Sequence, residues 1–126
     1  MAAANAAGWV VVVITNQSGI DLGLYDHEEV ERMHRYLHDM LRNHGALVSG
    51  IMYCPHHPSK GKCLCRKPGG LLLERASAKL DIDRSRSVMI GDRDRDVTAA
   101  TSVGARGILV PANSSLMENL RTHDLI

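Results

Sequence analysis

The middle of the chain holds all of its cysteines and two of its histidines within one short segment. Residues 54–65 contain three thiols and two imidazoles among Pro, Ser, Gly and Lys, which offer no apolar burial. The odd number and close spacing of the cysteines disfavour disulfides, which leaves a metal site or, alternatively, three free thiols beside two surface histidines. Zinc takes four tetrahedral sulfur and nitrogen ligands, and the segment offers a closed set of them: Cys54, His56, Cys63 and Cys65.

These ligands form two pairs, one at each end of the segment, and one residue separates the members of each pair. Both side chains of a pair can therefore point the same way along an extended chain, while His57 points away. Four good ligands leave no open coordination position for catalysis. We therefore expect a structural Zn²⁺ that orders a loop with little core of its own.

Polar residues suited to phosphoryl transfer occur at three other points. A threonine hydroxyl and a lysine hold and neutralise phosphoryl oxygens, and carboxylates hold magnesium. Each group also has a purely structural reading, as a turn, a solvated surface pair or a helix cap. Their common position after predicted strands or the cysteine segment favours the functional reading. The three groups are Thr15-Asn16, Arg66-Lys67, and Asp92 with Asp96.

The elements that must position these groups alternate between strand and helix. Apolar runs rich in β-branched residues predict parallel strands at residues 9–14, 48–53, 87–90 and 107–110. Helical spacing predicts helices at residues 26–44, 71–80 and 94–102, with a short one after residue 114. The class is therefore α/β with a parallel sheet, in which ligands bind at the carboxyl ends of the strands.

The first long helix has the clearest signals. Asp26 and Glu29 form a capping box at its start, and Gly45 ends it. Five apolar residues at helical spacing predict its buried face. They are Val30, Met33, Leu37, Met40 and Leu41.

The composition indicates an ordinary soluble globular protein. The 126 residues predict a single domain, residues 1–126, with 44% hydrophobic and 23% charged residues. A net charge of +1 gives no broad attraction to nucleic acid or to an acidic membrane surface. The longest apolar run, residues 9–14, is too short to cross a bilayer, and the start has no signal-peptide pattern. Clustered thiols without disulfides are typical of a reducing compartment, so we expect the cytoplasm.

Four motifs follow one another along the chain: Thr15-Asn-Gln-Ser-Gly-Ile20, Cys54-Pro-His-His-Pro58, Cys63-Leu-Cys-Arg-Lys-Pro68, and Gly91-Asp92 with Asp96. In this order they resemble the D-glycero-D-manno-heptose 1,7-bisphosphate phosphatases of the haloacid-dehalogenase (HAD) superfamily. The related histidinol-phosphate phosphatases share much of the pattern. The resemblance covers about residues 6–110, and its most specific part is the cysteine segment running into Cys-Arg-Lys-Pro.

This resemblance implies a fold and a reaction. It implies a three-layer α/β sandwich with a parallel sheet, and a magnesium-dependent phosphomonoester hydrolase acting on a sugar bisphosphate, most simply D-glycero-D-manno-heptose 1,7-bisphosphate. Thr15 would hold the transferring phosphoryl group, Lys67 would stabilise its charge, and Asp92 would bind the catalytic Mg²⁺. Substrate contacts would come from Asn16, Gln17, Arg66 and Arg93.

The chain departs from this family in the catalytic motif. The family's Asp-x-Asp-Gly-Thr, whose first Asp forms the aspartyl-phosphate, does not occur here. The strand that carries it is the central one of the family's sheet, between the strands predicted at residues 9–14 and 87–90. Without it we expect two unpaired sheet edges, and so marginal stability, rearrangement, or self-association through those edges.

The sequence also departs from the family at two smaller points. Asp21-Leu22 stands where Ala-Arg is common in the family, and Gly69-Gly70 replaces a longer Pro-containing turn.

Three other functions are alternatives to this one. They are a non-catalytic remnant that binds sugar phosphate or a protein partner, a histidinol-phosphate phosphatase, and a small zinc module that binds nucleic acid or protein. The last is disfavoured because a basic stripe and stacking aromatics are absent.

Overall fold

The computed structural model describes all 126 residues as five α-helices and four strands, with short 3-10 turns at Pro58–Lys60 and Arg84–Arg86. In chain order the elements are α1 (Ala2–Ala6), β1 (Val12–Asn16), α2 (His27–Asn43), β2 (Gly50–Cys54), α3 (Leu71–Leu80), β3 (Val88–Gly91), α4 (Asp94–Ser102), β4 (Arg106–Leu109) and α5 (Leu116–Thr122). None of these helices is both long and apolar enough to span a membrane. The predicted α/β class is confirmed.

The four strands form two separate parallel pairs. In the first pair β1 lies beside β2, with Thr15 opposite Tyr53 and Asn16 opposite Cys54. In the second pair β3 lies beside β4, with Ile90 opposite Ile108. No backbone hydrogen bond joins β1 to β3. The inner edges of the two pairs are thus unpaired, as the sequence predicts for a sheet without its central strand.

The helices cover both faces of the strands and make a three-layer sandwich. The Asn5 side chain of α1 bonds both the N–H and the carbonyl of Leu47, which places α1 beside the end of α2. The helix α5 joins this layer, since Leu120 packs against Ala4. On the opposite face α3 and α4 meet where a side chain on Gly70 would overlap Val103.

The core is divided in the same way as the strands. One buried cluster comprises Ala4, Ile108, Leu120 and Leu125 beside β3 and β4. The other comprises Cys54, Cys65 and Leu72, packed against apolar residues of β1 and β2. Between the two pairs of strands lies a mostly apolar cleft of about 460 Å³. One side is lined by residues 10–14, which include the first part of β1 and the two residues before it, and the other side by β3. Each pair of strands therefore has its own small core.

The predicted buried face of α2 is only partly correct. The capping box between Asp26 and Glu29 is present, and Val30 is fully buried. However, Met33 and Met40 are 50% and 41% exposed. Strands lie about 4.8 Å apart, so a pair of them is too narrow to cover the whole apolar stripe of a helix.

The first strand is displaced along the chain from its predicted position. It runs from Val12 to Asn16, so Thr15 and Asn16 belong to the strand and do not follow it. The preceding residues make other bonds, because Trp9 donates its backbone N–H to Ala4 and its indole N–H to the Leu125 carbonyl, at 3.0 and 2.8 Å. The apolar run therefore divides into a connection that packs against the termini and a strand that ends at polar residues.

Candidate functional site

The carboxyl ends of β1 and β3 are joined by one lysine. Lys67 Nζ donates a hydrogen bond to the Ile14 carbonyl at 3.1 Å and lies 2.6 Å from Asp96 Oδ1. The two charged side chains are only 11% and 6% exposed. At this distance the ammonium and the carboxylate neutralise each other directly in a place that water barely reaches. Lys67 thus stands at the open end of the cleft between the two pairs of strands.

Asp96 is held in place by its own helix. Its Oδ2 accepts the backbone N–H of Arg93 at 3.1 Å, which caps the start of α4. A Cβ on Gly91 would overlap the Asp96 carboxyl group, so only glycine allows the strand to end this close to the helix. The sequence alone indicated Asp96 as a neighbour of the site, but not as the ionic partner of Lys67, because this contact joins segments that are far apart along the chain.

A chain of hydrogen bonds runs from the end of β1 into the turn that follows, through the side chains of Thr15, Gln17 and Tyr25. Tyr25 Oη lies 2.8 Å from Gln17 Oε1, and Gln17 Nε2 donates to Thr15 Oγ1 at 3.2 Å. Gly19 is buried beneath the tyrosine ring, where any Cβ would overlap it. The Thr15 hydroxyl in turn donates to the Asn16 carbonyl, but at 3.5 Å this bond is long and weak, so a closer acceptor would take its hydrogen. Sequence reasoning missed Tyr25, since its position in a turn carries no signal.

Asn16 connects β1 to the lysine segment. Its Oδ1 accepts the Lys67 backbone N–H at 3.1 Å, and its Nδ2 lies 3.5 Å from the Lys67 carbonyl. Both ends of the amide therefore bond backbone groups. This arrangement fixes the point from which the Lys67 side chain extends toward Ile14.

The remaining predicted residues differ in their exposure. Arg66 is partly buried, and its Nη1 is fully buried without a partner. Asp92 and Arg93 are exposed at the end of the cleft, with Asp92 Oδ2 3.9 Å from Arg93 Nε. The structure thus brings Lys67 and Asp92 to the lining of one cleft. Asn16 bonds the Lys67 backbone and Thr15 follows Ile14, whose carbonyl Lys67 bonds, whereas Arg66 Nη1 is directed into the protein.

The four predicted zinc ligands converge. One donor atom from each of Cys54, His56, Cys63 and Cys65 lies within 4.8 Å of all the others. Individual separations are 3.1 Å between the sulfurs of Cys54 and Cys65 and 3.2 Å from His56 Nδ1 to Cys65 Sγ. A tetrahedron with zinc–sulfur bonds of about 2.3 Å has edges of about 3.8 Å. Because the separations lie on both sides of this value, from 3.1 Å up to at most 4.8 Å, the donor set fits Zn²⁺ after small side-chain shifts.

The thiols of this cluster differ in acidity. Burial and hydrogen bonding to the neighbouring thiols raise the pKa of Cys54 to about 12. Burial also acts to raise the pKa of Cys63, but hydrogen bonds from the Arg66 backbone N–H and from the other ligands outweigh it and lower this pKa to about 7. Cys63 is therefore the thiol that most readily supplies a thiolate at neutral pH.

The chain is similar to known proteins over most of its length. Residues 64–124 match the HAD-hydrolase-like family. A D-glycero-beta-D-manno-heptose-1,7-bisphosphate 7-phosphatase of Rhodopseudomonas palustris is 39% identical over 110 residues, which are 82% of this chain and 61% of that protein. Its counterpart in Pseudomonas aeruginosa is 41% identical over 104 residues, 82% of this chain and 58% of that protein.

Solved structures give the same result. The D,D-heptose 1,7-bisphosphate phosphatase of B. bronchiseptica, complexed with magnesium and phosphate, has a TM-score of 0.79 and 36% identity, over 86% of this chain and 60% of that one. A HAD-like phosphatase from Mesorhizobium loti has a TM-score of 0.80 and 31% identity, over 90% of this chain and 57% of that one. The chain spans about 60% of the length of these relatives. From its motifs, its sequence identity and its fold, the chain belongs to the HAD-like hydrolase family.

Proposed function

We propose that this chain contributes the phosphoryl-binding end of a magnesium-dependent phosphomonoester hydrolase that acts on a sugar bisphosphate, most simply D-glycero-D-manno-heptose 1,7-bisphosphate. The relatives named for this activity share 39% and 41% identity with the chain. Thr15 and Lys67 are the proposed catalytic residues. The proposed substrate contacts are Asn16, Gln17, Arg66 and Arg93.

The observation that carries this proposal is the position of Lys67. A buried ammonium group lies at the carboxyl ends of β1 and β3 and bonds the carbonyl of Ile14, the residue before Thr15. The Thr15 hydroxyl makes only a long, 3.5 Å bond to the Asn16 carbonyl. A hydroxyl donor and a fixed cation at one point can neutralise charge on phosphoryl oxygens. The unpartnered Nη1 of Arg66 is a further donor, which would have to turn out of the protein to meet a second phosphate.

Asp92 is the proposed Mg²⁺ ligand. Its carboxylate is 44% exposed, and the cation beside it, Arg93, is 3.9 Å away. Magnesium keeps several waters and is commonly bound by one or two carboxylates together with phosphate oxygens. A single exposed carboxylate beside a phosphoryl site fits that preference. When bound, the ion supplies charge neutralisation at the phosphoryl oxygens.

The direct test is phosphate release by the purified, zinc-loaded chain in the presence of magnesium. Because the family's nucleophilic aspartate is absent from this chain, hydrolysis of heptose 1,7-bisphosphate by the chain alone would require another carboxylate in its place. Such hydrolysis should be faster than that of histidinol phosphate, and Asp92→Asn should lower its rate at least about 100-fold, as loss of a charge-stabilising group does. Lys79→Met, on the exposed side of α3, serves as the control and should leave the rate unchanged. Faster hydrolysis of histidinol phosphate would instead assign the chain to that reaction.

A second candidate function is binding without hydrolysis. It is favoured by the state of Asp96, the one carboxylate that touches Lys67, because this group is 4% exposed and bonded to Arg93. It therefore has no free face to act as a nucleophile. Calorimetric titration with inorganic phosphate distinguishes the two functions: binding that Thr15→Val weakens, with no phosphate release, supports this candidate.

We also propose that the unpaired inner edges of β1 and β3 lead to self-association. Exposed strand edges are templates for pairing with another chain, and these two edges face an apolar cleft. Sedimentation should therefore show a mass that grows with concentration. A monomer at high concentration with a cooperative, high-temperature melt would contradict this part of the proposal. The proposed substrate of the protein is a small molecule, and neither nucleic acid nor membrane is a proposed partner.

The proposal also covers the domain organisation of the chain and its cellular compartment. We propose that residues 1–126 act as one domain, since Lys67 connects the two pairs of strands. We place it in a reducing compartment, the cytoplasm, because its three cysteines are free and suited to metal.

A further inference from the structure

Asp21 makes a long-range contact with the metal-binding loop. Its Oδ2 accepts the backbone N–H of His57 at 2.8 Å, across 36 residues of sequence. His57 directly follows the ligand His56 in the chain. Asp21 lies in the turn after β1, the same turn that holds Gln17. The contact therefore joins the segment beside Thr15 to the residue next to a metal ligand.

No other hydrogen bond holds this part of the loop to the rest of the protein. Apart from contacts among the four ligand side chains, residues 55–63 make only local bonds, such as Lys60 N–H to the His57 carbonyl. The ends of the loop are fixed differently, since Gln17 N–H bonds the Cys54 carbonyl at 2.7 Å and Asn16 bonds the backbone of Lys67. Asp21 is thus the one external attachment in the middle.

The hydrogen bond from the His57 N–H to Asp21 lies between the rings of two adjacent histidines, which face different partners. The ring of the half-buried His57 faces Ser59, with Nδ1 3.1 Å from Ser59 N and 2.7 Å from Ser59 Oγ. The ring of His56 is exposed on one side but faces the thiols on the other, with Nδ1 3.4 Å from Cys54 Sγ. Asp21 holds the backbone between these two differently directed rings.

We propose that Asp21 is a positioning residue for the metal centre, which fastens the loop at His57 so that His56 completes the tetrahedral site. A loop restrained before the metal arrives loses less conformational entropy when the metal binds. Residues that orient metal ligands typically change affinity 10–100-fold when removed. Since Asp21 acts on the backbone beside a ligand, we place its effect at the lower end, about tenfold.

The test is the rate at which a chromogenic chelator removes zinc from the full chain. Asp21→Ala should release zinc about tenfold faster than the unmodified protein. Asp21→Asn keeps an acceptor oxygen for the His57 N–H and should restore most of the retention. The matched control is Asp39→Ala, since Asp39 is 77% exposed on α2 and contacts only His38. Equal release rates for Asp21→Ala and Asp39→Ala would overturn the proposal.

Cobalt substitution separates positioning from a general loss of stability. Co²⁺ bound to three thiolates and one imidazole has an absorption spectrum that reports the ligand set. The measurement is made in His56→Ala, where only His57 can supply the imidazole. With Asp21 present this variant should lose the tetrahedral spectrum, because the loop holds His57 away from the thiols, and adding Asp21→Ala should restore it. Identical spectra for His56→Ala with and without Asp21→Ala would show that Asp21 does not select the ligand. Neither measurement depends on phosphatase activity, so failure of the proposed function leaves this test intact.

Discussion

At the scale of single residues, the structure depends on a buried charge pair. Lys67 and Asp96 are both nearly enclosed, and each also bonds a backbone group. Removing one partner of such a pair strands the other charge in a poorly solvated place, which costs about 3–5 kcal/mol. A protein with a free energy of unfolding of about 5–15 kcal/mol cannot absorb this without visible loss.

Lys67→Met should therefore lower the free energy of unfolding by about 3 kcal/mol. Adding Asp96→Asn should recover part of this loss, because asparagine removes the stranded charge and keeps an acceptor for the Arg93 N–H. Urea denaturation of the two variants measures both effects. If Lys67→Met unfolds at the same urea concentration as the unmodified chain, the pair contributes nothing to stability.

His34 makes stability depend on pH. Burial lowers the pKa of His34 below 6.5, and nearby Glu31 only partly opposes this; its other neighbour is the Tyr53 ring. Since the unfolded chain keeps the higher pKa, it binds more protons as the pH falls through 6.5, and stability falls with it. In His34→Gln the urea midpoint should thus drop less between about pH 7.5 and 5.5. His38→Gln, at a position on the same helix where the side chain is 39% exposed, should behave like the unmodified protein.

At the scale of elements, the turn after the metal loop requires a glycine. A Cβ on Gly69 would overlap the carbonyl oxygen of Leu64 and crowd that of Arg66, both backbone atoms that cannot rotate away. The Gly69 N–H also bonds the Arg66 carbonyl at 2.7 Å. The turn that presents Arg66 and Lys67 is therefore closed around this residue.

Gly69→Ala should destabilise the chain by about 1–3 kcal/mol, as overpacking does. Gly50→Ala is the matched control, because a Cβ there meets its nearest neighbour at an ordinary 3.7 Å. Thermal melts of the two variants give the comparison. Equal melting temperatures would mean that the turn can open without cost.

Some features of the helices and loops could be predicted from the sequence, and others could not. Helices α3 and α4 have the predicted bounds, and the four predicted metal ligands converge, since periodicity and ligand chemistry are local properties of the chain. The exposure of Met33 and the contact of Asp21 with His57 could not be predicted. They depend on how wide the neighbouring strands are and on which distant loop lies nearby.

At the scale of the whole molecule, the metal site is part of the core beside β1 and β2. Cys54 and Cys65 are buried in one cluster with Leu72, so loss of the metal leaves thiols where packing is needed. Chelation of zinc should lower the melting temperature by more than about 10 °C, because a stability change of 1 kcal/mol moves it by about 4–8 °C in a domain of this size. Cys63→Ser should already melt at the lower temperature and respond little to the chelator.

The two ends of the chain meet in the other core. Ala4 and Leu125 are buried in the same cluster, and the Trp9 indole bonds the Leu125 carbonyl. Termini that lie this close can be joined by a short linker, so the protein should tolerate circular permutation. New ends opened in the exposed turn at residues 112–114 should give a permutant with the same circular dichroism and zinc content. The order in which the elements occur along the chain would then be separable from the fold that they form.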